Sequence, residues 1–414
     1  MNIGAHFLVF STSKASVLIA PLLAATVLPK FEYGSVEWWL AISMVFAPVI
    51  GMGAGTVTAY GSLGGELKKH VNVATTYTIV VATLMLLLGC LILIFIPDFS
   101  LKAFTSVFFQ SAVILLQIVL SARLKGLGKG AWASLAESTV YICLLVSLVF
   151  SLLGADFLVS YLGLLVFASI CLCFLLSKYT SLTLGDLIRE RNYIGFLRVG
   201  STFMMGGALI GAFLAMPRIS LGFLANEEIV ASFALVFRWL SISIAIHQFM
   251  NTVLFKSIFG DSADLVRDKL LALTVLLVSV AVVFISISLK FGALDYFSIQ
   301  LPDPDDLILV WPMSIVIVLW ATTACFEGAL YRQGKVALQI QAVSIGLLVQ
   351  GAGLYFGMSN EVLLSAVYSW ISGFVVMICL QYKALWVNGS RFPYLLSSLL
   401  ASLAVLGFFI FVIG

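Results

Sequence analysis

Charge and histidine are scarce in this sequence. Only 10% of its 414 residues are Asp, Glu, Lys or Arg, and it contains 3 histidines. So few charges exclude a water-soluble domain, in which about a quarter of the residues are charged. Hydrophobic residues instead make up 62% of the chain, and the mean hydropathy is +1.15. The chain is therefore predicted to be an integral membrane protein without a folded extramembrane domain.

Sequence signatures of catalysis are also missing. The six cysteines lie within apolar runs, so they are predicted to be small core side chains and not disulfides or metal ligands. A glycine-rich phosphate loop, a nucleophilic triad and metal-ligand spacing are all absent. The longest predicted outward loop, residues 291–306, contains neither Arg nor His, which argues against a membrane-bound polymerase or ligase. We expect no enzyme activity, no cofactor and no metal.

Apolar stretches of about 20 residues, the length of a bilayer-spanning helix, recur along the whole chain. They predict twelve spans and a thirteenth C-terminal candidate: 5–28, 36–60, 73–96, 103–122, 131–153, 157–177, 197–217, 228–254, 270–290, 307–329, 337–356, 361–382 and 393–413. The predicted fold class is all-α. The predicted domains are a six-helix bundle at 1–180, a cytoplasmic amphipathic linker at 181–196, a second six-helix bundle at 197–383 and an extra spanning segment at 384–414.

Basic residues are distributed unevenly between the loops. If the N-terminus is cytoplasmic, sixteen Lys and Arg residues fall on the inner side and four on the outer side, which also has the acidic stretch LPDPDD. The positive-inside rule predicts this orientation. The net charge of +3 then reflects inner loops that face anionic headgroups. No nucleic-acid partner is expected.

Two pairs of segments indicate an internal repeat. PKFEYG at the end of the first span matches PRISLG at the end of the seventh, displaced by 188 positions, and LKGLGK after the fourth span matches LYRQGK after the tenth. Both matches keep their order and their membrane side. They predict two six-helix repeats of parallel orientation with a cavity between them.

Two cations lie deep in predicted spans. Lys14 in the first span and Arg238 in the eighth are about ten residues, or ~15 Å, from the helix end. A charge at that depth costs about 2.5–3.5 kcal/mol on insertion scales, so both are expected to face the interior. Small or polar side chains at helical spacing accompany them, and these faces are expected to line water: Ser11 before Lys14; Ser241, Ala245, Gln248 and Thr252 after Arg238; and Ser106, Gln110, Gln117 and Ser121 in the fourth span.

Alternative interpretations of these residues stay open. Lys14 and Arg238 could each pair with an acid, and Glu137 in the fifth span is the candidate partner. Glu137 is alternatively a coupling-ion or proton site, and His247 is either a hydrogen-bonded interior histidine or a titrating switch. Arg218, at the outer end of the seventh span, is expected to snorkel to the headgroups, with an outward gate as the second interpretation. A lumen with more cations than acids favours an anion such as phosphate.

The opening of the chain resembles a known family. LPKFEYGSVEWWLAISMVFAPVIGMGAG is similar to the start of Wzx-type polysaccharide flippases, in which an acidic-Tyr-Gly turn precedes a helix ending in glycines. The six-plus-six organisation, the loop RLKGLGK and the basic linker are similar to that family too. Those flippases and the MATE multidrug exporters belong to the multidrug/oligosaccharidyl-lipid/polysaccharide exporter (MOP) superfamily. The resemblance implies a V-shaped, MATE-like fold of two bundles that works by alternating access.

The resemblance also implies a substrate. This is an undecaprenyl-pyrophosphate-linked oligosaccharide, such as an O-antigen unit, carried from the cytoplasmic to the periplasmic leaflet of the bacterial inner membrane. Lys14 and Arg238 would contact the pyrophosphate, and the expected partners are the bilayer, a polysaccharide polymerase and a chain-length regulator. The remaining candidate lumen residues are Arg218, Ser11, Gln248 and Gln117. The alternative function is a cation-coupled exporter of drugs or small solutes, which would need acids in its lumen.

Overall fold

The computed structural model describes residues 3–62, 66–95, 99–179, 190–253, 264–294, 299–357 and 361–413. These ranges contain sixteen α-helices: α1 (Ile3–Val27), α2 (Lys30–Ile50), α3 (Ala54–Ser62), α4 (Val71–Phe95), α5 (Phe99–Gly126), α6 (Gly130–Glu137), α7 (Thr139–Leu152), α8 (Phe157–Lys178), α9 (Glu190–Leu224), α10 (Glu227–Ser241), α11 (Ile244–Val253), α12 (Asp264–Lys290), α13 (Val310–Arg332), α14 (Val336–Gly357), α15 (Val362–Val387) and α16 (Pro393–Ile413). The predicted all-α fold and its additional C-terminal helix are confirmed.

The helices have the length and composition of membrane spans. Within the described ranges, eleven helices pass as candidate spans, or up to thirteen if two bent helix pairs each count as one span. Their exposed faces are apolar; Leu84, Leu87 and Leu91 of α4, for example, are all exposed. A helix satisfies its own backbone hydrogen bonds, so such faces can contact lipid. The chain is a multi-pass membrane protein.

Internal contacts divide the chain into two compact units. Unit 1 is Met1–Ala215 and unit 2 is Met216–Gly414, so helix α9 contributes to both. In the predicted linker 181–196, residues 181–189 lie outside the described residues, and residues 190–196 form the start of α9. The seventh span is thus longer than predicted at both ends. The functional limits of the two bundles stay a prediction.

Helix α5 is the central helix of unit 1. It packs against α2, α3, α4, α6 and α8, and most of its spanning segment is buried. Ser43 of α2 donates a hydrogen bond to Gln110 Oε1 at 2.9 Å, and Gln110 Nε2 donates to the Tyr161 hydroxyl of α8 at 3.3 Å. Side-chain bonds between membrane helices contribute about 0.6 kcal/mol each on average. They fix α2 and α8 against α5.

The polar stripe of α5 is buried among these helices. Ser106, Gln110, Gln117 and Ser121 are all at most 9% exposed. The expectation that this stripe lines open water is therefore wrong. Small polar side chains at helical spacing also let membrane helices approach closely and hydrogen-bond, and that packing role explains the pattern.

Helix α13 has the equivalent central place in unit 2. It packs against α10, α12, α15 and α16. Its Ser314 shares a 2.8 Å hydrogen bond with Ser286 of α12. The C-terminal helix α16 lies along α12, where Ser279 donates to Ser402 at 2.8 Å. The additional helix is therefore an integral part of unit 2.

Asp268 of α12 caps the N-terminus of α16. Its carboxylate accepts the backbone N–H groups of Tyr394 at 2.9 Å and Leu395 at 2.8 Å. The first N–H groups of a helix have no partner within the helix, so a carboxylate at that end satisfies them and faces the positive end of the helix dipole. The cap anchors the last helix to the unit.

Asp268→Ala should destabilise unit 2. Loss of an N-cap costs about 0.5–2 kcal/mol, and each kcal/mol lowers Tm by about 2–4 °C for a domain of this size. Thermal unfolding of the purified protein measures the change. Asp305→Ala, at an exposed acid of the 3₁₀ segment Pro304–Leu309, is the control and should leave Tm unchanged. Equal Tm values for the two variants would show that the cap does not hold α16.

The LKGLGK and LYRQGK segments fall at helix ends of the same kind, which also occur after α7, α12 and α15. The turns after α5 and α13 have the same form: Gly128 and Gly334 have φ of 72° and 69°. Lys129 N donates to Leu124 O at 2.8 Å, and the Lys335 N–H donates to the carbonyl of Leu330 in the same way at 2.9 Å. Both turns need a left-handed residue, which glycine adopts without strain.

The match between PKFEYG and PRISLG does not fall at equivalent positions of the structure. Pro29 comes directly before α2, whereas Pro217 lies inside α9, which continues to Leu224. The two prolines therefore stand at different positions of their helices, and the displacement of 188 is not the register of the repeat. Proline removes one backbone hydrogen bond but does not have to end a membrane helix, because neighbouring helices compensate.

Two predicted spans are broken helices. The span predicted at 131–153 consists of α6 and α7, bent by 55°, and the one predicted at 228–254 contains α10 and α11, bent by 43°. The breaks fall at Ser138 and at residues 242–243. Broken helices in transporters often flank binding sites. Each break here lies within five residues of an ionisable side chain, Glu137 or Arg238.

Candidate functional site

The residues predicted for the site divide between the two units. Unit 1 holds Ser11, Lys14, Gln117 and Glu137, and unit 2 holds Arg218, Arg238, His247 and Gln248.

In unit 1, Lys14 belongs to a charged cluster. Its Nζ lies 3.9 Å from Oε2 of Glu137. The other carboxylate oxygen of Glu137 is in contact with Lys125 Nζ and accepts a 2.7 Å hydrogen bond from Ser121 Oγ. We refer to Lys14, Ser121, Lys125 and Glu137 as the Lys14 cluster. The predicted pairing of Lys14 with Glu137 is thereby found in the structure.

The helix break explains why Glu137 needs these partners. Glu137 is the last residue of α6, where the carbonyl end of the helix dipole is negative and disfavours a carboxylate. Two ammonium groups and a hydroxyl from α1 and α5 compensate for this. The side chains of Lys14, Glu137 and Lys125 are 24%, 34% and 59% exposed. The cluster is therefore not sealed, and it has two cations for one anion.

One serine pair fixes the position of Lys14. Ser13, its neighbour on α1, donates to the carbonyl of Ser134 at 2.6 Å and shares a 2.9 Å hydrogen bond with the Ser134 hydroxyl. These bonds hold α1 against α6 beside Glu137. Ser11 is half-buried one turn before Lys14. Gln117 is buried with its Oε1 atom unpaired, one turn before Ser121 on α5.

In unit 2, Arg218 is buried. It is 5% exposed, and its Cζ atom lies 5.6 Å from the ring centroid of Phe237 in α10. Phe237 also packs against Trp320 and Trp370. The expectation that Arg218 snorkels to headgroups is wrong, because α9 continues past Pro217 and keeps Arg218 within the helix. A guanidinium over an aromatic face is stabilised by the ring quadrupole.

Arg238 occupies the last turn of α10 and is 8% exposed. The negative helix end favours a cation there. The expectation of one polar stripe from Arg238 to Thr252 is wrong, because the helix breaks after Ser241 and α11 starts in a new direction. Beyond the break, His247 is buried and Gln248 is exposed.

Sequence reasoning missed three charged residues. Lys125 falls in a predicted basic loop, although it continues the spacing of Gln117 and Ser121 by one further turn. Glu37 of α2 is only 1% exposed, and Asp306, in a predicted outer loop, is 8% exposed in a 3₁₀ segment that packs against α10. The sequence feature that could have identified Glu37 is its position as an acidic residue inside a predicted span.

Comparison with known proteins gives a match only in structure. No protein-family profile and no curated protein sequence matches the chain. A solved structure of the MATE multidrug transporter DinF-BH superimposes with a TM-score of 0.63 at 15% identity, covering 92% of this chain and 93% of the other. The chain has the MATE transporter fold.

Two more solved structures share this fold. An inward-facing multidrug resistance MATE family transporter of the MOP superfamily matches with a TM-score of 0.63 at 14% identity, over 91% of this chain and 96% of the other. A MOP superfamily transporter from Pyrococcus furiosus matches with a TM-score of 0.53 at 11% identity, over 94% of each chain. That protein is described as having a binding pocket of reverse polarity that suggests a different function. At these identities the MATE fold is shared, while substrates have to be argued from residues.

Proposed function

We propose that this protein is a flippase that carries an undecaprenyl-pyrophosphate-linked oligosaccharide from the cytoplasmic to the periplasmic leaflet of the bacterial inner membrane by alternating access. The observation that carries the proposal is the charge of the Lys14 cluster. Two ammonium groups face one carboxylate, and all three side chains are partly exposed. An accessible site with excess positive charge attracts an anionic headgroup and repels a cationic drug.

The 3.9 Å separation of Lys14 and Glu137 suggests how the site works. Glu137 has a closer partner in Lys125, so Lys14 can exchange its carboxylate partner for a substrate phosphate without leaving Glu137 unpaired. A charge-assisted hydrogen bond of this kind contributes about 1.5–3 kcal/mol. Lys14 therefore binds the pyrophosphate, and Lys125 keeps the carboxylate neutralised meanwhile.

Arg218 and Arg238 supply the phosphate contacts of unit 2. A guanidinium binds phosphate oxygens in a bidentate manner and keeps its charge at any physiological pH. Phe237 orients Arg218 through the 5.6 Å contact with its ring. Ser11 and Gln248 contribute neutral contacts to the sugar, while the prenyl chain remains in the bilayer. A polysaccharide polymerase and a chain-length regulator use the product on the periplasmic side.

The second candidate is a cation-coupled exporter of drugs or small solutes. The observation that favours it is the part-exposed carboxylate of Glu137 at the break of its span. A proton or sodium ion bound there would release Lys14 and couple ion entry to a change of conformation, with His247 as a further titrating group. The multidrug transporters of the same fold support this interpretation.

Reconstituted vesicles distinguish the two candidates. Vesicles containing the purified protein and a fluorescent polyprenyl-pyrophosphate-linked sugar are treated with dithionite, which quenches only the outer-leaflet label. We expect the inner-leaflet label to become accessible in protein-containing vesicles and to stay protected in empty ones. In parallel, a proton or sodium gradient is applied to vesicles with a cationic dye, and we expect no transport. Dye transport together with a protected lipid pool would replace the flippase by the exporter.

A further inference from the structure

Unit 1 has a groove that the transport site does not use. It has a volume of about 650 Å³ and lies between α5, α6, α7 and α8. Its wall is apolar: Leu124, Trp132, Leu135, Ile142, Leu172 and Leu175. The volume is in the range of sites that hold small organic ligands. Trp132 at 48% and Leu175 at 41% exposure lie at its rim, so the groove is accessible from the apolar surface of the unit.

The basic end of the groove has a cation and a tyrosine in contact. Lys129 Nζ is 3.4 Å from the Tyr179 hydroxyl and 4.7 Å from its ring centroid. Both residues line the groove. Arg123 Nε donates to the Tyr179 carbonyl at 3.3 Å, which positions the tyrosine. A basic residue beside Tyr and Trp is typical of the membrane interface, where it meets lipid phosphate.

The same groove occurs in unit 2. A cavity of about 290 Å³ is lined by Leu338, Gln341, Ala342 and Ile345 of α14, and by Leu380 and Lys383 of α15. With the displacement of 206 positions set by the matching turns at Lys129 and Lys335, these four α14 residues correspond to Trp132, Leu135, Ala136 and Thr139. Lys383 is exposed at this groove. Each unit thus has an apolar groove beside a lysine, although Lys383 corresponds to Ser177 and not to Lys129.

We propose that each groove binds one anionic diacyl phospholipid of the leaflet at the basic face. One acyl chain lies along the apolar wall, and the phosphate contacts Lys129 in unit 1 or Lys383 in unit 2. An anionic lipid fits because the walls are hydrocarbon-like, the charged groups that line both grooves are cations, and both grooves have exposed apolar side chains at their rims. This proposal does not depend on which substrate the protein transports.

Native mass spectrometry of the purified full chain tests the proposal. The protein is mixed with equal amounts of phosphatidylglycerol and phosphatidylcholine that differ in mass but have equal chain lengths. We expect two phosphatidylglycerol molecules to be retained in preference to phosphatidylcholine. Lys129→Gln and Lys383→Gln should each weaken one site about fivefold, since a surface cation is worth about one such factor towards an anionic lipid. Lys68→Gln, at an exposed lysine outside both grooves, should bind like the wild type.

A second variant tests the wall of the groove. Thr139→Phe places a ring in the groove of unit 1 and should remove one bound lipid while leaving Lys129 in place. If this variant does not fold, the two exposed lysine variants still decide the question. Equal retention of the two lipids, or unchanged phosphatidylglycerol binding in Lys129→Gln and Lys383→Gln, would overturn the proposal. Displacement of the lipid by millimolar glycerol 1-phosphate would show a phosphate site without an acyl-chain site, and would overturn it as well.

Discussion

Lys14→Gln should slow lipid flipping by about 10- to 100-fold. The factor corresponds to the loss of one charge-assisted hydrogen bond to phosphate, about 1.5–3 kcal/mol. It also leaves the cluster with one cation and one anion, and therefore no excess positive charge. Because the Lys14 side chain is partly exposed, the protein should still fold. The dithionite assay in reconstituted vesicles measures the rate, normalised to the amount of monodisperse protein.

Glu137→Gln, alone and combined with Lys14→Gln, separates substrate binding from simple ion pairing. If Lys14 binds phosphate, Glu137→Gln alone keeps flipping within a few-fold of the wild type, and the double variant stays as slow as Lys14→Gln. If Lys14 only neutralises Glu137, the double variant regains the wild-type rate, which would contradict the proposed role. Lys68→Gln removes an exposed lysine outside the Lys14 cluster and serves as the matched control.

Gly200→Ala should lower the stability of unit 1 markedly. A Cβ atom on Gly200 would lie 2.3 Å from the Met52 carbonyl oxygen, and one on Gly53 would lie 2.4 Å from the Gly200 carbonyl oxygen. Helix α9 thus touches the backbone between α2 and α3, and no flexible side chain can move aside. Overpacking of this kind costs about 1–3 kcal/mol. The expected fall in Tm is about 2–12 °C.

Gly163→Ala is the matched control for Gly200→Ala. Gly163 lies within helix α8, and a Cβ atom there would meet nothing within 4 Å. Alanine is the better helix former by about 0.8–1 kcal/mol, so Tm should stay the same or rise. A Gly200→Ala protein with the Tm of the wild type would show that α9 can move away from α2 without cost, and that the close packing is not required.

The helices could be predicted from the sequence because hydropathy alone determines them. Every predicted span overlaps a helix of the structure, including the last at Pro393–Ile413. The two breaks were not predicted, because neither Ser138 nor Ile242–Ser243 involves Pro or Gly. The mean hydropathy of a segment also stays high when its helix bends. The predicted position of Arg218 at the helix end was wrong because Pro217 was expected to end the seventh span, whereas α9 continues past it.

The candidate site was predictable only in part. Lys14 and Glu137 form a candidate pair in the sequence because each charge lies inside an apolar span, and they are in contact. Their third partner, Lys125, falls in a predicted loop, since spacing along one helix does not reveal contacts with two others. Long-range contacts such as Ser13 with Ser134 depend on how α1 packs against α6, and single-helix periodicity contains no such information.

Equilibrium binding of a short prenyl pyrophosphate to the purified protein tests most directly whether Lys14 belongs to an anion-selective site. Farnesyl pyrophosphate, uncharged farnesol and the cation tetraphenylphosphonium are compared on the wild type and on Lys14→Gln. We predict that only farnesyl pyrophosphate binds specifically and that Lys14→Gln weakens it by about tenfold or more. Tighter binding of the cation than of farnesyl pyrophosphate, or affinity for farnesyl pyrophosphate that is the same in both proteins, would contradict an anion-selective site at Lys14.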